Sequence, residues 1–425
     1  MLIVFGLSFV VLLGLGMPIA IGLGGSALVY VLMQEDLSIT MLIQTTFGGM
    51  ASFPLLAIPL FMLAGNLMNE GGLTRDLVRF AKQVMGHISG GLGLATILAS
   101  AIFAAISGSA VATAVAIGMV MIPAMKEVGY DEEVGAAITA TASCMGPIIP
   151  PSIPFIMYGV IANVSIGALF LGGVIPGILL GTFLMTYMFL VARKRGYPRE
   201  AKASGKEVLI GAWQALPALL MPVIIMGGIL GGAFTPTEAA GVVVVYALFV
   251  GGVFYRRIRW SRLPDILLTS GLESAMVMLL LGLSEPFSWI VAAEQIPQII
   301  IEGIGQISTS PYVVLFLINV LLILVGIPLE TAPAITIVTP VIAPIAAQLG
   351  IDPVHLGIVV CFNLVLGLIT PPVGAVLFSI SSIAKMNLAK LSQGIWPTFG
   401  IGLVVLGLIT YIPWLTTFLP HALMK

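Results

Sequence analysis

Charge is what this sequence has least of. Only 8% of its 425 residues are Asp, Glu, Lys or Arg, against roughly 25% in a soluble globular chain. Hydrophobic residues make up 59%, and the mean hydropathy is +1.16. No core is large enough to hide so much apolar surface from water, so a soluble enzyme, a nucleic-acid binder and a disordered chain are all excluded. Cysteine is nearly absent. Cys144 and Cys361 both lie inside apolar runs, which excludes a disulfide framework. His87, His355 and His421 have no metal-ligand spacing, and no nucleophile–base pair is visible. Acid and base nearly cancel, for a net charge of −1, so charge points to no partner. What the chain does have is apolar runs longer than the roughly 20 residues that span a bilayer. The expected class is an all-α polytopic membrane protein. Residues 1–33 lack a basic leader region and run too long for a cleaved signal, so they read as a retained span.

The basic residues set the threading. They cluster at Arg75–Lys82, Lys126, Arg193–Lys206, Arg256–Arg262 and Lys385–Lys390, with Lys425 at the end. Cytoplasmic loops carry the excess of Lys and Arg, so every cluster but Lys425 is placed inside. Residues 3–33 are then expected to run outward, as one long helix or one broken at Met17-Pro18, and 40–69 inward. Leu73–His87 is polar and amphipathic, and fits the cytoplasmic surface. Residues 90–124 are flanked by basic residues on both sides, yet are too short for two spans of ~20 residues plus a turn. They read as a re-entrant hairpin entering from inside, with Ser107-Gly108-Ser109 at its tip. Spans follow at 131–161, 165–192, 208–231, 237–255 and 264–290, then a weakly polar stretch at 292–308. Residues 311–346 read as a second hairpin, entering from outside, and 353–383 and 394–418 as the last spans. The total is about nine spans and two opposed hairpins.

The two halves match without gaps at a shift of 221 residues. Pro123 falls on Pro344, and Gly129 and Asp131 fall on Gly350 and Asp352. Gly146 falls on Gly367, Pro150-Pro151 on Pro371-Pro372, and Pro176 on Pro397. One hairpin opens inward and the other outward, so residues 1–204 and 205–425 read as repeats of inverted topology, a pattern that points to a secondary transporter with its site at the midplane.

Two segments break their helices within the membrane: Gly146–Ser152 and Gly367–Gly374. A Pro-Pro pair must unwind a helix interior. Unwound backbone survives at that depth only when buried in protein or lining a wet cavity. Its freed carbonyls are hard oxygen ligands suited to a small cation such as Na⁺. The hairpin tips bring helix N-termini to the same depth. Ser107, Ser109 and Thr113 add hydroxyls at the inner tip, and Gly326, Pro328, Glu330 and Thr331 mark the outer one. No Lys or Arg lies at membrane depth in either hairpin or break. An anionic substrate would be held by helix N-termini, hydroxyls, amides and co-bound cations. The residues expected to face it are Ser109, Thr113, Ser152, Pro328, Glu330, Asn363, Pro372 and Gly374. Glu273, Glu285 and Glu330 are intramembrane acids and so functional candidates, Glu330 as a cap or ligand before a proton carrier.

Phe103–Thr113, Ile148–Pro154 and Gly367–Gly374 resemble the large membrane subunit of tripartite ATP-independent periplasmic (TRAP) transporters, and the likeness runs from about Phe53 through the last span. The resemblance implies an elevator fold and sodium-driven uptake of organic acids across the bacterial inner membrane. It also implies two partners: a small four-helix membrane subunit, absent from this chain, and a periplasmic substrate-binding protein. Carried onto matching positions, it places one Na⁺ at Ser107 with the carbonyls of Gly146 and Pro150. A second falls at Gly326 and Thr331 with Gly367 and Thr370. Sodium is the coupling ion, and no other cofactor is implied. Ile327-Pro328 stand where many relatives carry a bulky Met-Phe. A self-sufficient dicarboxylate or citrate carrier stays open as an alternative, as does the identity of the acid.

Overall fold

The computed structural model describes the chain except Glu35, residues 306–309 and Lys425, with the backbone alone at 301–305. In chain order, α1 (Leu2–Gly14) and α2 (Ile19–Met33) precede α3 (Ile39–Met50), α4 (Ala57–Glu70) and α5 (Leu73–Met85). Then come α6 (Gly91–Ser107), α7 (Ala110–Glu127), α8 (Glu132–Ser143), α9 (Ile153–Ile161), α10 (Ile166–Arg195) and α11 (Gly205–Leu230). α12 (Pro236–Leu248), α13 (Leu263–Ala293), α14 (Ile296–Gly305), α15 (Pro311–Gly326) and α16 (Thr331–Gln348) follow. The last four are α17 (Pro353–Gly367), α18 (Ala375–Ala384), α19 (Leu388–Tyr411) and α20 (Trp414–Leu423). Eight helices among the described residues are long and apolar enough to cross a membrane. Lys425 and the end of the 292–308 stretch lie outside the described residues.

Both hairpins form where the sequence places them, as α6–α7 and α15–α16. Both broken helices form as well, as α8–α9 and α17–α18. The bonds Pro150–Pro151 and Pro371–Pro372 are cis. Short gaps hold the breaks at membrane depth: eight of nine residues in α9 and ten in α18 are apolar or hydroxyl-bearing, and neither arm is long enough to span alone. The breaks meet at the centre of the bundle, where Cys144 Sγ at the end of α8 lies 3.7 Å from the carbonyl of Val365 in α17.

The first segment corrects the expected threading. Residues 3–33 do not run outward: the segment is broken before Pro18, one of the two alternatives the sequence leaves open, and doubles back. Pro18 has no N–H to continue α1, and the chain turns back at 15–18. Phe5 packs edge-on against Tyr30, so α1 and α2 are antiparallel. At 1.5 Å per residue the two helices are about 20 and 22 Å long, short of the ~30 Å hydrocarbon core. α2 runs beside the outer half of α13, with Leu283 over Gly24 and Tyr30 hydrogen-bonded to Glu294. Both ends of the pair therefore lie outside, and eight of the expected spans remain.

α3 and α4 form one inward crossing, interrupted by the turn Phe53–Leu56, and lie antiparallel along α13. Met50 packs at Gly282, and Asn66 donates to Ser270 Oγ and Glu273 Oε2 at 2.9 and 3.0 Å. α5 buries Leu73, Leu77, Val78 and Ala81 while Arg75 and Arg79 stay exposed. Asp76 in its first turn is paired with Arg257, which fixes the helix along the cytoplasmic ends of the bundle.

Candidate functional site

The inner junction is built where the tip of α6–α7 meets the first break. Gly108 ends α6 with φ +61, a left-handed turn that a side chain would strain. Ser109 then caps α7, accepting the Ala112 N–H at 3.3 Å. Thr113, one turn on, donates its hydroxyl to the Ser109 carbonyl at 2.7 Å. With that proton committed, Ser107 donates to Thr113 Oγ1 at 2.9 Å. Ser107 and Thr113 are buried, so the tip is a cage of neutral oxygens closed against lipid.

The break fits onto this cage backbone to backbone. A methyl on Gly146 would lie 2.5 Å from the Ser109 carbonyl oxygen and 2.9 Å from Thr113 Oγ1. One on Gly108 would lie 2.9 Å from the Pro151 carbonyl oxygen. The structure thus brings Ser107, Ser109, Thr113 and Gly146 together. Pro150 enters through its neighbour: the carbonyl against the tip is that of Pro151. Ser152 is turned inward, donating to the Pro147 carbonyl at 2.5 Å and capping α9 through the Phe155 N–H at 3.3 Å. Both its hydrogen-bonding roles serve the break itself. From the other side, α4 touches the tip, with the Cβ position of Gly65 3.6 Å from Ser107 Cα.

The outer junction repeats the arrangement with different residues. A methyl on Gly367 would lie 2.5 Å from the Gly326 carbonyl oxygen, so the last turn of α15 closes on the end of α17. Thr331 opens α16 with its hydroxyl buried and unpartnered. Thr370 donates to the Leu366 carbonyl at 2.9 Å, the usual back-bond of a threonine in a helix, and keeps its lone pairs free. Gly374 is buried, with the Leu368 carbonyl oxygen 2.6 Å from its Cβ position. Pro328, Glu330 and Pro372 are exposed. Glu330 holds the N-cap position of α16 but its carboxylate makes no capping bond, so of the cap and ligand roles expected of it the side-chain cap is not formed.

Asn363 departs most from expectation. Its amide protons are the groups that would greet an anion, and both are spent on Asn319. What it has left is the wrong sign for a carboxylate. Glu273 is held by Asn66 between α4 and α13, and Glu285 lies over Gly49 of α3; neither reaches a hairpin tip in the contacts described. Sequence reasoning missed the carbonyls of Ser109 and Pro151, because a backbone oxygen has no residue signature. Gly65 was missed too, and only its contact reveals it.

The whole assembly has close relatives. Residues 7–415 match the family described as tripartite ATP-independent periplasmic transporter, DctM component. The chain is 42% identical over 412 residues to the isethionate TRAP transporter permease protein DctMQ of Oleidesulfovibrio alaskensis, covering 97% of this chain and 65% of that protein. It is 40% identical over 410 residues to the sialic acid TRAP transporter large permease protein SiaM of Vibrio cholerae, covering 96% of each. With the C4-dicarboxylate TRAP transporter large permease protein DctM of Pseudomonas aeruginosa it shares 42% identity over 402 residues, covering 95% and 94%. The fold is similar to the crystal structure of the Alcanivorax borkumensis YdaH transporter, at a TM-score of 0.66 and 16% identity over 90% of each chain. The eight apolar helices and these relatives make it a multi-pass protein of the bacterial inner membrane and not an enzyme. The chain belongs to the DctM family, the large permease component of TRAP transporters.

Proposed function

We propose that this chain imports an organic acid anion, a C4-dicarboxylate, a sialic acid or a related carboxylate, by sodium symport. The anion is handed over by a soluble periplasmic binding protein, and a small four-helix membrane subunit completes the membrane part. The observation that carries the sodium reading is the pair of junctions in which a hairpin carbonyl meets a broken helix at a glycine: Ser109 on Gly146 and Gly326 on Gly367. Each gathers neutral oxygens without a basic side chain, a donor set for a small hard cation rather than for a bare carboxylate. One ion falls to Ser107, Gly146 and the Pro150-Pro151 carbonyls. The other falls to Gly326, Thr331, Gly367 and Thr370. The anion would then sit between the cation-loaded tips, toward Ser109, Pro328, Glu330, Pro372 and Gly374. Residues 1–204 and 205–425 act as the inverted repeats, and the hairpins with their breaks travel as one body in an elevator.

The acid class rests on what relatives of similar sequence carry. Proteoliposomes holding the chain with its small subunit, supplied with loaded binding protein, should accumulate substrate only under an inward Na⁺ gradient. Undiminished uptake in choline or K⁺ would refute the coupling. Robust uptake by the chain alone would favour the self-sufficient carrier.

A further inference from the structure

Three helices of the outer half are tied by one directed hydrogen-bond chain. Asn363 of α17 donates to Asn319 of α15, at 2.7 Å to Oδ1 and 3.0 Å to the carbonyl. Asn319 donates to Thr410 Oγ1 of α19 at 3.1 Å, and Thr410 donates to the Leu406 carbonyl at 2.7 Å. The direction is forced. Turning the Asn363 amide round would set its oxygen against two acceptors. Its Oδ1 is therefore left fully buried and without a partner. A buried acceptor in an apolar bundle calls for a donor or a positive charge.

Its place in the fold indicates which. Asn363 lies one helical turn outward of Gly367, on the side of α17 that packs against α15. The Gly326 carbonyl, which meets Gly367, belongs to the last turn of α15, where carbonyls outnumber their partners and the helix dipole is negative. Oxygen acceptors dominate this corner. We infer that Asn363 Oδ1 is a cation-coordinating oxygen of the outer junction, receiving a small monovalent cation above the Gly326–Gly367 contact, and that the two bonds from its amide to Asn319 hold it in that orientation. This rests on the sodium reading above and moves Asn363 from the anion's side to the cation's.

The test compares two cuts through the same chain in the reconstituted complex, titrating uptake with Na⁺ and with Li⁺. Asn363→Leu removes the free oxygen; Asn363→Ser is the second variant should the leucine protein fail to accumulate. Thr410→Val breaks the far end and leaves the oxygen in place. The half-saturating Na⁺ concentration should rise roughly 5–30-fold in the Asn363 variants, the scale of one lost ligand. Their Li⁺-to-Na⁺ preference should change, and Thr410→Val should leave that preference as in the wild type. Equal shifts in all variants would make Asn363 a packing residue, and no shift in the Asn363 variants would leave its oxygen to a water; either overturns the inference alone. A wild-type protein indifferent to Na⁺ would overturn the coupling reading itself.

Discussion

Ser107→Ala takes one hydroxyl from the inner cage and leaves the rest standing, because Thr113 keeps its own bond to the Ser109 carbonyl at 2.7 Å. The protein should accumulate normally while half-saturating Na⁺ rises about 5–30-fold, the equivalent of ~1–2 kcal/mol. Thr370→Val should weaken Na⁺ dependence in the same direction. Ser381→Ala should not, since Ser381 lies beyond the second break and its hydroxyl bonds the Met386 carbonyl at 2.6 Å, closing the turn after α18. A Na⁺ titration of uptake on equal amounts of purified protein decides all three. Gly146→Ala is a harsher test. Its methyl would meet a backbone oxygen at 2.5 Å, and no rotamer can relieve that. Overpacking of this kind costs about 1–3 kcal/mol, so the thermal midpoint should drop and Na⁺ should no longer raise it. An alanine variant with wild-type stability and Na⁺ response would mean that hairpin and break do not touch.

At the scale of elements, the cytoplasmic start of α8 carries a measurable pH effect. Tyr197, and after it Arg195, hydrogen-bond the Asp131 carboxylate and hold its pKa below the usual aspartate range. A depressed folded pKa contributes stability above the unfolded value, and that contribution is lost as pH falls through the folded one. Asp131 is half exposed, which limits it to at most about 1 kcal/mol. Asp131→Asn should therefore lower thermal stability slightly at neutral pH. The gap to wild type should close as pH drops below ~4; a gap that persists in acid would assign the loss to packing. Elements elsewhere were legible to the extent that charge or proline marked them. Both hairpins could be read because 90–124 has basic flanks too close together for two crossings, and the breaks because Pro-Pro cannot stay helical. The direction of α1 could not be read, since the first basic residue is Arg75 and the positive-inside rule has nothing to weigh before it. The Ser107–Thr113 pairing could not be read either. It spans six residues across a turn, a spacing that no single helix brings together.

Across the whole molecule, sidedness is the property most open to direct measurement. The two native cysteines are fully buried, so introduced ones can be read against a quiet background. Gly232→Cys, between α11 and α12, should react with a membrane-impermeant maleimide in intact spheroplasts. Lys202→Cys should react only after permeabilisation. Leu2→Cys should behave like Gly232→Cys, because α1 and α2 return to one side; protection of Leu2→Cys until permeabilisation would restore the single outward span. The contact between Cys144 and Val365 carries a last consequence. The two positions are separated by 221 residues, the offset at which the halves align. In an assembly of two identical chains, a residue can touch its own copy only on the two-fold axis. A pair of half-length proteins, before any joining into one gene, would have met at this point, each pressing the residue two before its break glycine against the other's. The midpoint of the present bundle would then be the remnant of a homodimer seam.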